Sequence, residues 1–334
     1  MKKERIGFID VAKGLAMLLV VYGHNPLPES ALKIVYLLNV PIFFLMSGYT
    51  FKAEKYESFF SLIKKLAQRV LVPYIVMNIL AFPVYYITRE RAIDIAAVKD
   101  FAVGMLYGSG AGVGLKCNIP LWFLPCIFIV QCLWYLTCKY AKKAKGIFVL
   151  AFSLIGFFIY PVLKMRLPWG VDVAFTGATF FAVGSFIRAE KAQKIIFKVP
   201  SVLGFLVMLA LSLWLNGLNY GAIPNVDVNA MVFGNYFLFY LSTFCGCLAI
   251  IYLSKLLDKS RVLGYVGRNT MWILGLHSIF IQFFELTLKL NFVSDQRLNS
   301  FILAILEIGC VVLIKLIYDA LKNMAQKKFL SEVN

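Results

Sequence analysis

The chain is divided into runs of about twenty apolar residues, and this alone removes most folds from consideration. Inside a bilayer no water meets the backbone, so each run must satisfy its own N–H and C=O groups as a helix. The runs lie at roughly 6–24, 31–51, 70–88, 120–138, 147–163, 172–188, 200–216, 235–254, 270–287 and 299–318. The expected fold is therefore all-α. It is a polytopic integral membrane protein of about ten transmembrane helices, forming a single membrane-embedded domain over 1–334. Composition agrees: 61% of the residues are hydrophobic and 15% charged, against about 45–50% and 25% for soluble domains.

The net charge of +17 invites a nucleic-acid reading, but its distribution argues against one. The bases sit in short clusters between the apolar runs, so membrane lipids are the expected partner and nucleic acid is not. Ten crossings place both termini on one side. Of the 34 lysines and arginines, 23 fall in segments on that side and 9 on the other. This is the positive-inside pattern, which predicts cytoplasmic N- and C-termini in a multi-pass protein of the cell membrane. The opening MKKERIGF is like the start of a signal peptide. However, Asp10 and Lys13 interrupt the apolar region and no A-x-A site follows, so an uncleaved first span is expected. The seven cysteines are odd in number, lie mostly within spans and lack metal spacing with a histidine. No disulfide framework and no metal are expected.

The first run, IGFIDVAKGLAMLLVVYGH, carries an acid, a base and a histidine. At about 100° per residue, Lys13 and His24 lie only about 20° apart around the helix, and Asp10 within about 60° of them. A charge at the centre of a membrane helix costs roughly 2.5–3.5 kcal/mol. Groups tolerated at that cost face a protein interior or a wet cavity and are functional candidates. A lone membrane histidine often only bonds a neighbouring helix, but His24 has the stripe beside it and the helix-ending Asn25-Pro26 after it. An imidazole that accepts a proton from a hydroxyl makes the oxygen a competent nucleophile toward an activated acyl group. Asp10, Lys13 and His24 are thus the candidate catalytic set.

Other candidates are scattered. His277, in GRNTMWILGLHSIF, shares a helix face with Thr270; it is either a packing residue or part of a cavity wall. Span two ends NVPIFFLMSGYTF, where Pro41 frees a backbone carbonyl and Ser47-Gly48 permits close helix approach. The basic stretch Lys64, Lys65 and Arg69 anchors the chain at the cytoplasmic face or seats an anionic donor such as coenzyme A. Trp122 and Trp169 belong to an interfacial belt or stack on a sugar, and Asp172 is placed to orient a hydroxyl. The outer segment 89–119 contains GSGAGVG, which fails both phosphate-loop templates and reads as a flexible loop. The connection 217–234 is polar, lacks Lys and Arg, and is placed to cover or admit an acceptor.

Six blocks, ID-x-A-K-G…VVYGH, VPIFFLMSGYTF, RVLVPY, LWFL, FFAVGSFI and GRNTMWILGLH, come in an order that resembles the acyltransferase 3 family, and they span nearly the whole chain. The nearest flavour is the bacterial O-acetyltransferases that decorate capsular, exopolysaccharide or other surface glycans. The resemblance implies a ten-helix core that moves an acetyl group from cytoplasmic acetyl-CoA to a hydroxyl of an extracytoplasmic or lipid-linked glycan, at the inner (plasma) membrane. It makes His24 the catalytic histidine. Lys13 takes the basic position ten intervening residues before it, where many members have arginine. Arg69 takes the second of two basic positions before the Pro-Tyr, with Leu66 at the first and Lys65 beside it. With the readings above, Lys64, Lys65 and Arg69 are expected to bind the acyl-CoA donor, and Trp122, His277, Ser47, Trp169 and Asp172 the acceptor. A membrane transporter of a glycan or small polar solute also buries charges, but matched broken helices in two halves are not visible. A non-enzymatic scaffold or sensor predicts that the stripe tolerates substitution.

Overall fold

The computed structural model describes residues 7–89, 91–219 and 226–333. Ile6, the bases Lys2, Lys3 and Arg5, and 220–225 of the polar connection lie outside the described residues. Among the described residues fifteen α-helices follow one another: α1 (Gly7–His24), α2 (Glu29–Leu38), α3 (Pro41–Thr50), α4 (Phe59–Leu66), α5 (Val72–Thr88), α6 (Ile95–Tyr107), α7 (Phe123–Tyr140), α8 (Lys145–Leu163), α9 (Val171–Ile187), α10 (Glu190–Ile196), α11 (Ser201–Asn219), α12 (Tyr236–Leu256), α13 (Arg261–Arg268), α14 (Thr270–Gln282) and α15 (Gln296–Val333). Among the described residues, β structure is limited to an isolated bridge between Asp227 and Val232. Nine described helical segments are long and apolar enough to cross a membrane. The chain is thus an all-α polytopic membrane protein.

Three expected spans differ in detail. The second is broken at Asn39-Val40, because Pro41 lacks the N–H that would continue the ladder; the Asn39 side chain accepts the Val40 N–H instead, at 2.7 Å. The third starts eleven residues earlier than its apolar run. The Ser58 hydroxyl caps α4 by accepting the Ser61 N–H at 3.1 Å, and a π turn at Ala67–Leu71 joins α4 to α5. Lys64, Lys65 and Arg69 therefore ride on a helix, with Leu62 and Leu66 of the same helix buried. The segment 270–287 is thirteen residues of α-helix followed by a second π turn, Phe283–Thr287, and is not among the nine. It runs through the interior against α1, α5 and α15. Its far end is pinned by Gln282, whose amide donates to the Cys117 carbonyl at 3.1 Å and accepts from Arg89 at 2.9 Å.

Close backbone approach sets the frame around α1 and α3. A Cβ on Gly48 would meet the Phe181 carbonyl oxygen at 1.8 Å, and one on Gly184 the Leu45 oxygen at 1.9 Å. The contact of α3 with α9 thus depends on glycine on both sides, as Ser47-Gly48 suggested. By alternation of crossings, the start of α1, the α3–α4 connection, the end of α7, the start of α8 and the end of α9 share one face, here called the basic face. His24, the 89–119 segment and the 226–235 strap lie at the opposite, far face.

The far-face connections are packed. Gly108 closes α6 in the left-handed conformation at φ 64°, the Leu115 N–H donates back to the Ser109 carbonyl at 2.7 Å, and Ser109 is fully buried. The expected flexible loop is a folded turn. The strap is likewise anchored. Asn219 donates to the Phe233 carbonyl at 2.9 Å and accepts the Asn235 N–H at 2.7 Å. Its own Val226, Val228, Met231 and Phe233 are buried.

Candidate functional site

A cavity of about 210 Å³ runs alongside α1. Lys13 and His24 both line it, and eleven residues of helix separate them by about 16 Å along the axis. The basic-face part adds Lys52, Lys55 and Arg69. The middle is apolar, with Met17, Val20, Phe43, Val70, Leu124 and Ile127. Ser47, Trp122, Gln131 and Thr270 contribute polar atoms to the same wall. No described lining residue is a carboxylate, so four cations share one cavity without an acid on its wall. Such an arrangement favours an anionic guest.

His24 exposes its ring at one end of this wall. Its Nδ1 lies 2.7 Å from the Val20 carbonyl oxygen. A carbonyl only accepts, so Nδ1 carries the proton and the lone pair of the neutral ring is on Nε2. That is the form a general base requires.

His277 does not line the cavity. Its ring is fully buried and meets His24 edge-on, with centroids 5.2 Å apart and an interplanar angle of 69°. Its Nδ1 repeats the local bond of His24, to Ile273 and Leu274 carbonyls at 2.8 and 3.1 Å, and its Nε2 is buried without a partner. The expectation that it lines the acceptor site is corrected: the ring backs His24. Next to His24, Asn25 donates to the Val21 carbonyl and to Glu307 Oε2, both at 3.0 Å. Glu307, on α15, is fully buried, and its other oxygen has no partner. Sequence reading missed Glu307. The signal was present, as an acid in the middle of the apolar run FILAILEIGCVVLI.

The remaining candidates separate into those the cavity gathers and those it does not. Lys13, Arg69, Ser47 and Trp122 are gathered. Asp10 is not. It lies 3.8 Å from Arg268, which α13 brings there by pressing on α1: a Cβ on Gly267 would meet the Asp10 carbonyl oxygen at 1.7 Å. Lys64 and Lys65 are exposed away from the wall, though Lys65 lies over the Tyr56 ring at 5.5 Å and Tyr56 lines the cavity. Trp169 spends its N–H on the Leu106 carbonyl at 2.9 Å. Asp172 is fully buried and paired with Arg166, because an ion taken out of water needs a charged partner. Neither reaches the cavity. Lys52 and Lys55 were not anticipated as site residues; their place directly after the SGYTF block put them at the same mouth as Arg69.

The strap over the far face carries Asp227, whose carboxylate accepts the Ala230 N–H at 3.0 Å. Burial pushes this carboxyl above the usual range, against the backbone N–H groups, the Arg166 charge and the nearby His24 ring, which pull it down.

A family model described as an acyltransferase domain matches residues 6–318. No curated protein and no solved structure matches the chain.

Proposed function

Since the chain belongs to the acyltransferase 3 family and is a membrane acyltransferase, we propose that it moves an acetyl group across the membrane, from acetyl-CoA at the basic face to a hydroxyl at the far face. The basic face is cytoplasmic on this reading, and the membrane is the inner membrane of a bacterium. The acceptor is a sugar of an extracytoplasmic or lipid-linked surface glycan. The observation that carries the reading is the single wall shared by four cations at one end and the His24 imidazole at the other.

The roles follow from position. Lys13, Lys52, Lys55 and Arg69 attract the donor's phosphates, as guanidinium and ammonium groups do. The apolar middle accepts the thin, uncharged arm that bears the thioester. Nε2 of His24 takes the proton of the acceptor hydroxyl as its oxygen attacks the thioester carbonyl. The C–S bond then breaks, and the leaving thiolate takes the proton from the imidazolium. The products are the O-acetyl ester and free coenzyme A, and His24 is neutral again. General-base help of this kind supplies typically 10²–10⁴-fold. His277 and the Asn25–Glu307 pair hold the ring and its helix end in place, and Asp10 acts through Arg268 on the course of α1. Trp122 and Ser47 are the wall groups available to the reacting partners.

The test is the glycan itself. His24→Ala protein that reaches the membrane in normal amount is expected to leave the purified polysaccharide without its O-acetyl signals by NMR. Unchanged acetyl signals would refute the proposal.

A further inference from the structure

A second cavity, of about 330 Å³, opens at the basic face beside the first. Its size falls within the roughly 300–1,000 Å³ usual for small-molecule pockets. Phe51 belongs to both walls, so the two spaces are neighbours across one ring. Arg188 fixes that ring's backbone by donating to the Phe51 carbonyl. The wall also holds Lys145, Glu54 and Trp134. Trp134 is almost wholly buried and contributes to this wall by packing. Lys145 opens α8, whose first-turn N–H groups add positive potential there.

The tunnel along α1 encloses about 210 Å³ and is apolar in its middle. That volume suits an extended arm and is too small to take a base, a ribose and several phosphates besides. A donor whose arm fills that tunnel must lodge its bulky charged end outside the mouth. We infer that this second cavity holds the nucleotide end of the donor, with phosphate on Lys145 and Arg188 and an amine or hydroxyl donor of the nucleotide on the Glu54 carboxylate. The inference rests on the acyl-CoA reading above and adds a subsite to it. The two cations outnumber the one acid, so the pocket keeps a positive balance toward phosphate.

The experiment is displacement of radiolabelled acetyl-CoA from the purified full chain in detergent by adenosine 3′,5′-bisphosphate, which has the nucleotide end and no arm. The wild type is expected to release the label competitively. Lys145→Gln is expected to raise the concentration needed by about tenfold, as for a lost charge-assisted hydrogen bond. Glu54→Gln, which removes the charged acceptor and keeps the side-chain shape, is expected to raise it about threefold. No displacement in the wild type, or equal displacement in all three proteins, overturns the subsite while leaving the donor reading intact. Failure of the wild type to bind labelled acetyl-CoA at all overturns the donor reading and the subsite with it.

Discussion

His24 and His277 are the two histidines of the chain, and locally they are alike. Each sits in an apolar helix with Nδ1 tied to the carbonyl four residues earlier, at 2.7 Å in one and 2.8 Å in the other. Each therefore carries its lone pair on Nε2. They differ in what that nitrogen can reach. His24 opens onto a cavity that leads to a cluster of cations, whereas His277 is sealed behind it with Nε2 unpartnered. The comparison teaches that residue type and tautomer prepare a base, but access makes it one. A sealed imidazole contributes shape, and a proton acceptor that no substrate touches.

The sharpest way to break this contrast is to remove each ring in turn. His24→Ala is expected to lower acetyl transfer by about 10²–10⁴-fold in purified protein, with donor binding retained. His277→Ala leaves a hole in a packed interior, and loss of a large buried side chain costs about 2–5 kcal/mol. It is expected to lower the melting temperature clearly, while turnover per folded molecule falls by less than the His24 change. Equal losses of turnover in the two variants, with equal stability, would erase the distinction.

Arg69→Ala tests the far end of the same wall. It removes a charge-assisted contact worth about 1.5–3 kcal/mol, so KM for acetyl-CoA is expected to rise roughly tenfold or more while kcat changes little. A change in kcat alone would move Arg69 from donor binding to chemistry. Asp10→Asn disturbs a partly exposed pair at 3.8 Å, and such pairs are worth about 0–1 kcal/mol. Its steady-state rates are expected to fall less than fivefold.

The smallest effect concerns pH. Burial holds the Asp227 carboxyl above the usual range, so the folded strap keeps a proton that the unfolded strap releases. Its contribution to strap stability is complete below the ordinary carboxylate range and is lost as pH rises through the raised value. Hydrogen exchange across 226–235 is expected to speed up over that interval beyond its normal pH dependence. In Asp227→Asn, which cannot titrate, that extra rise is expected to vanish.

Periodicity made much of this legible. The apolar runs located the spans because a bilayer leaves the backbone no alternative to helix. The placing of Lys13 and His24 on one stripe followed from the turn angle alone. The glycine at 48 announced a close helix contact that α9 supplies. What escaped were facts of tertiary assembly. Nothing local told that Asp172 would be taken up by Arg166, or that α13 would carry Arg268 to Asp10. His277 and Trp122 looked equally well placed to line a cavity, and only the packing of α14 behind α1 separates them. The helical start at Phe59 was hidden because α4 is amphipathic, so its charges looked like a loop. Both π turns, one holding Arg69 and the other Glu285, leave no mark in a pattern of apolar residues, although such turns often occur at functional sites.

The central claim is that one passage joins donor cations to an imidazole at the opposite face. It is tested most directly by sidedness in sealed proteoliposomes of defined orientation, with labelled acetyl-CoA confined to the basic face and a glycan acceptor confined to the far face. The account predicts labelled acceptor with wild-type protein and none above background with His24→Ala. Transfer only when donor and acceptor share a face, or undiminished transfer by His24→Ala, would contradict it.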